Sequence, residues 1–312
     1  MTNADLIQDF MRFLRTKDLS DSTIQNYSDI TKRMQNFVQD KYGADFGSGA
    51  VKGYMVSNYA TSILEFKPTT RALYITALRV FLKFLYNMQY VDFDLSAALP
   101  ETPNIERSYA VHPEQRPQKR NYTSEEIEKM FSSSAGHSFS KIRNRAAMEV
   151  LLATGLRVSE LIQLKVGDVA ETAPEFANVA RKGTHGNKVK VFIPQEVRPV
   201  VWEYLKARKD KCGDFSEDDA LFVNRNGTPS SRFDLYQSIS RMQKAENLPT
   251  GIHTFRHTTV SAVSKQSDPV VARDLAGQKN LAVTNRYAHT SDDEKLAAAK
   301  EIAKYFNAVV NR

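Results

Sequence analysis

Four separated stretches of this sequence hold side chains of the types that could move a phosphoryl group onto a tyrosine. They are Ala153-Thr154-Gly155-Leu156-Arg157-Val158-Ser159-Glu160-Leu161, Arg181-Lys182-Gly183-Thr184-His185-Gly186-Asn187-Lys188, His253-Thr254-Phe255-Arg256-His257-Thr258, and Leu275-Ala276-Gly277-Gln278 leading to Tyr287-Ala288-His289. A phosphodiester under attack gathers negative charge on its non-bridging oxygens. Two planar, permanently charged guanidiniums, Arg157 and Arg256, suit that charge. A phenol must shed a proton whose ordinary pKa is about 10, and an imidazole or a positive pocket lowers that cost. His253 is the candidate proton acceptor and Tyr287 the candidate nucleophile. The departing sugar oxygen needs a proton, which a lysine in an electropositive site can give. Lys182 takes that role by its place between two β-rich stretches, with Lys188 and Lys190 as weaker alternatives.

Taken singly, each residue has a plainer reading. Arg157 fits a solvated cation at a helix start, Lys182 a charge on a hairpin tip, and Tyr287 a half-buried interfacial tyrosine. His253 and His257 stand four apart, as a metal-ligand pair would, but no HExxH glutamate lies between them and no third ligand is evident. A bound metal is therefore not expected.

The elements that must position these residues read mainly as helix. Leu6, Phe10, Phe13 and Leu14 recur at helical spacing, as do Ile24, Tyr27, Ile30 and Met34. A third run follows Val51. After Pro68, Leu73, Leu78, Phe81, Leu82 and Leu85 form an apolar stripe from which Arg71, Arg79 and Lys83 project away. Residues 1–100 thus predict a small helical bundle in which acids nearly balance bases. Between Pro100 and Arg120, three prolines and few large apolar residues predict a linker, residues 101–120. Thr123-Ser124-Glu125-Glu126 then reads as a capping box that opens a second domain, residues 121–312. There the spacing predicts helices over 125–132 and 141–153, a break at Gly155, a short helix over 158–164, a hairpin of strands 176–180 and 189–193, and helices over 195–208, 229–247, 254–265, 269–276 and from Asp293 onward.

The 312 residues carry a formal charge of +7, which favours a polyanionic partner. One cysteine, Cys212, excludes an intrachain disulfide framework and any cysteine-rich metal site. The N-terminal stretch lacks an uninterrupted apolar core, and no segment is long and apolar enough to span a bilayer. The expectation is a cytoplasmic protein of the nucleoid.

Together, TGLRVSEL, HTFRHT and the nine-residue step from Gln278 to Tyr287 resemble the tyrosine recombinase (phage integrase) family, in chain order as in chemistry. The resemblance covers nearly the whole chain. It implies a mainly α fold with a small β-sheet: a helical, SAM-like core-binding domain and a mixed α/β catalytic domain that form a C-shaped clamp on double-stranded DNA. It implies a site-specific recombinase working through a covalent 3'-phosphotyrosine, as a homotetramer on two duplexes and a monomer when free. The biological outcome, whether integration, excision, inversion or dimer resolution, stays open. A type IB topoisomerase and a DNA-binding protein that no longer cuts stand as alternatives. By the same resemblance Glu160 supports the arginine and histidine geometry, His257 supports Arg256, and the segment from Asp293, with Leu296, Ala299, Ile302, Phe306 and Val309 at helical spacing, docks on a neighbouring subunit.

One position departs from the family pattern. Gln278 stands where histidine or tryptophan is usual; its amide donates a neutral hydrogen bond but cannot shuttle protons. A weaker role there, with activity retained, is expected. Since a phosphotyrosine conserves the energy of the broken ester, no ATP and no metal is needed. The sequence agrees in having neither a P-loop nor a cluster of acidic ligands.

Overall fold

The computed structural model describes residues 2–115, 120–181, 186–266, 271, 274 and 292–310. The chain forms two compact units, residues 1–118 and 119–312.

The first unit is helical: α1 (Asn3–Arg15), α2 (Asp21–Tyr42), α3 (Gly53–Ser62), α4 (Pro68–Asn87) and α5 (Ile105–Val111). Local chemistry sets the ends. Thr2 and Asp5 form a capping box on α1, Ser20 caps α2, and a proline opens α4, where the first amide has no helical partner to lose. The core gathers Phe10, Phe46, Phe81 and Phe84 among Leu6, Leu14, Met34, Leu78 and Leu82. The Phe10 and Phe81 rings meet edge to face with centroids 5.1 Å apart.

Two expectations change in this unit. Leu73 is exposed, and Tyr74, Ile75 and Ala77 are buried with Leu78. The buried stripe of α4 is wide and runs beside Leu73, so a count of leucines placed it one residue off. The stretch taken for a linker contains α5. Asn104 caps it by accepting from the Arg107 amide, and Tyr109 buries its ring. Arg79 ties the approach to α5 through Thr102 Oγ1 (2.7 Å) and the Pro100 carbonyl (2.6 Å). Seven residues with one buried tyrosine were too short a pattern to outweigh the flanking prolines.

The second unit holds α6 (Ser124–Ser134), α7 (Phe139–Thr154), α8 (Val158–Leu161), β1 (Phe176–Ala180), β2 (Lys188–Phe192), α9 (Arg198–Cys212), α10 (Arg232–Ala245), α11 (Ile252–Gln266) and α12 (Asp292–Val310). The predicted capping box on α6 is formed in both directions. α7 is the central element: Ala146, Ala147, Val150, Leu151 and Leu152 are fully buried, and α9, α11 and α12 pack on it. β1 and β2 pair antiparallel with Phe176 opposite Phe192 and Ala180 opposite Lys188. Mainly helix with one small sheet is the predicted fold class. The helix expected over 269–276 lies largely outside the described residues.

The segment from Asp293 forms α12, which packs on its own unit. α12 buries Ala298, Ala299, Ile302, Ala303, Phe306 and Val309 in the core of its own unit. Lys300 pairs with Glu175 at 2.6 Å and Asn307 Nδ2 donates to the Glu196 carbonyl. Its apolar face is covered within the chain. No helix among the described residues is long and apolar enough to cross a membrane.

Candidate active site

Two helix ends and one strand end build the site. α7 stops at Gly155, whose φ of +62° is left-handed, a conformation in which a Cβ is strained. That turn presents the Gly155 carbonyl to Arg256, whose Nη1 donates to it at 2.7 Å. It also sets Arg157 at the start of α8. The neighbouring Thr259 on α11 donates its hydroxyl to the Leu152 carbonyl at 2.7 Å, locking α11 against the end of α7. Arg157 and Arg256, far apart in sequence, are thereby referred to the same turn.

Glu160 organises the cluster. Its side chain is 1% exposed; Oε1 accepts from Arg157 Nη1 at 2.8 Å, and Oε2 accepts from the Arg157 amide at 3.1 Å. Both carboxylate oxygens thus find donors inside the unit. Glu160 is therefore not a surface acid but a buried partner of Arg157. Arg157 keeps 27% of its side chain open to solvent.

α11 contributes His253, Arg256 and His257. Arg256 is buried, and burial with the nearby Arg157 charge pulls its pKa down to about 10, which leaves it a cation at neutral pH. His253 opens to solvent on its helix. Partial burial of the ring, then the Arg256 and Arg157 charges, hold its pKa below the ordinary histidine value. These causes favour the neutral imidazole, the form that can accept a proton. His257 is half-buried on the next turn of α11.

Lys182, Gln278 and Tyr287 lie outside the described residues. Of the alternatives to Lys182, Lys190 rests its ammonium 4.6 Å from the centre of the Phe176 ring, at the end of the hairpin away from its tip. Lys190 is exposed on β2 opposite Asn178. Lys188 is exposed opposite Ala180.

Several residues that shape the site gave no signal in the sequence. Tyr122 donates its hydroxyl to the Gly251 carbonyl at 3.1 Å and receives Gln243 Nε2 at 2.7 Å, while Gln243 Oε1 accepts from the Gly251 amide. Burial lifts the Tyr122 phenol to about 12, so it stays a donor. These bonds brace the turn into α11, directly ahead of His253. Only the fold brings residues more than a hundred positions apart into that brace.

Residues 120–294 match the model of the phage integrase family, and residues 7–89 that of the phage integrase N-terminal SAM-like domain. The chain belongs to the phage integrase family. It is a tyrosine recombinase, of the family that cleaves and rejoins DNA. Among its relatives, tyrosine recombinase XerD of Halalkalibacterium halodurans is 26% identical over 294 residues, covering 91% of this chain and 93% of the relative. Tyrosine recombinase XerC of Staphylococcus epidermidis is 28% identical over 304 residues, covering 93% and 94%. In fold the chain is similar to a lambda integrase fragment, residues 75–356, solved as a dimer bound to a COC' core site. The TM-score is 0.65 with 17% identity, over 94% of this chain and all of that one. A lambda integrase tetramer bound to a Holliday junction aligns with a TM-score of 0.64 and 19% identity, over 100% of this chain and 79% of that one.

Proposed function

We propose that this chain is a site-specific DNA recombinase in which Tyr287 attacks a backbone phosphate and becomes joined to the 3' side of the break. Arg157 and Arg256 hold the non-bridging oxygens, His253 takes the phenolic proton, and Lys182 protonates the departing 5' oxygen. Glu160 and His257 support the arginines, and Gln278 gives the phosphate a neutral hydrogen bond. Rejoining reverses these steps with a new 5' hydroxyl, and the ester energy held in the phosphotyrosine drives it.

The observation that carries this reading is the convergence of Arg157, Glu160, His253 and Arg256 around the end of α7: two cations, a neutral imidazole and a buried carboxylate that fixes one of the cations. A protein that only bound DNA would have no use for a proton acceptor held neutral beside two guanidiniums. The partner is double-stranded DNA bearing a specific site, which both units contact. The assembly is a homotetramer on two duplexes formed from free monomers, and the address is the cytoplasmic nucleoid.

The test is a nicked duplex that loses its short 5'-hydroxyl fragment on cleavage and so traps the covalent complex. The wild-type chain is expected to give a protein–DNA adduct, and Tyr287→Phe none; sequencing the trapped ends names the site. An adduct that persists in Tyr287→Phe overturns the nucleophile. Strand exchange between two DNA molecules separates recombination from simple relaxation.

A further inference from the structure

Glu160 has a second cation. Arg181 Nε lies 3.6 Å from the same Oε1 that Arg157 holds, and its side chain is only 10% exposed. Arg181 is the residue directly after β1, and the end of that strand is fastened a second time, to Gln163 just beyond α8. Gln163 Nε2 donates to the Ala180 carbonyl at 3.0 Å, and Gln163 Oε1 accepts from the Ala180 amide at 2.8 Å. The strand end is thus clamped by its backbone to Gln163 and by the Arg181 side chain to Glu160.

Charge points the same way. One buried carboxylate facing one guanidinium makes a neutral pair, and a neutral pair has little left for a phosphate. With Arg181 on the same oxygen, Glu160 can fix Arg157 in place while the cluster of Arg157, Arg181 and Arg256 keeps its positive surplus. Desolvation of Arg181 weighs against it, and Glu160 is the charge that offsets this. Lys182 is the next residue in the sequence.

We propose that Arg181 is a positioning residue of the cleavage reaction, acting through Glu160 to register the end of β1 against Arg157 and to preserve the positive charge of the arginine cluster. It touches no substrate in this role. The inference rests on the recombinase reading above and deepens it.

The test measures single-turnover cleavage of the nicked duplex by the full-length chain, with duplex affinity and thermal unfolding recorded alongside. Wild-type adduct formation establishes the reading itself; no adduct from the wild type sinks that reading rather than Arg181. Arg181→Ala is expected to slow cleavage on the order of 10- to 100-fold, the scale of a misplaced reacting group, with affinity changed by less than about threefold because no phosphate contact is lost. Arg181→Lys, which keeps charge and burial, should recover part of the rate, and it carries the test if the alanine variant does not fold. In a Glu160→Gln background, Arg181→Ala should add less than about a twofold further loss, since both variants break one linkage. Wild-type cleavage by Arg181→Ala, a loss confined to affinity, or a full multiplicative loss in the double variant each overturns the proposal.

Discussion

At the scale of single residues, the site separates into what proximity in sequence could reveal and what only folding could. Arg157 with Glu160, and His253 with Arg256, sit within one helical turn of each other, so each short stretch carries its own chemistry. Tyr122, Gln243 and Arg181 act across the fold, and nothing in their local spacing says so. The state of His253 is the most exposed consequence. Its imidazolium is disfavoured by partial burial first and by Arg256 and Arg157 next, whereas Glu160 works the other way. An NMR titration of the His253 ring should find its midpoint below the ordinary value of about 6.5, and Glu160→Gln should move it lower still. Because the unfolded imidazole holds its proton more readily, this group withdraws stability as pH falls through the ordinary histidine range toward the lowered folded value. A midpoint above the ordinary value, or an upward shift in Glu160→Gln, would contradict the electrostatics described for the site.

At the scale of elements, periodicity found most helices of the second unit and both strands to within a few residues, because their apolar spacing and caps agree with their tertiary use. It does not choose where the same pattern admits two partners. An amphipathic helix states that its face is buried and leaves open against what, and α12 buries its face on α7 and α11 of its own unit. Phe306 is 3% exposed there, so Phe306→Ala should remove about 3–5 kcal/mol of stability, the cost of emptying a buried aromatic site. Urea unfolding followed by circular dichroism measures it. Stability unchanged by that substitution would mean that α12 does not bury this face on its own unit in solution. By the same logic, truncation after Asp293 strips the core and is expected to unfold the second unit rather than spare it.

At the scale of the whole molecule, charge and core divide along the same boundary. Residues 1–118 hold as many acidic as basic side chains, so the whole surplus of +7 belongs to residues 119–312. Each unit also has its own hydrophobic core. The overall charge was legible from composition alone, but its concentration in one unit matters only once the units are seen to be separate bodies. Phosphate contacts release counterions, and a protein making roughly 6–10 of them loses about 10³- to 10⁵-fold in affinity between ~50 and ~200 mM salt. The full chain is expected to show that steepness on duplex DNA. A fragment of residues 119–312, with its core intact, should retain most of the slope of log Kd against log salt even where its absolute affinity is weaker. The net-neutral first unit can add contact area and groove readout without adding many released ions. Fluorescence anisotropy at a series of salt concentrations measures both slopes. A fragment slope below about half that of the full chain would place most of the phosphate contacts on the first unit, through basic faces whose acids are turned away from the DNA.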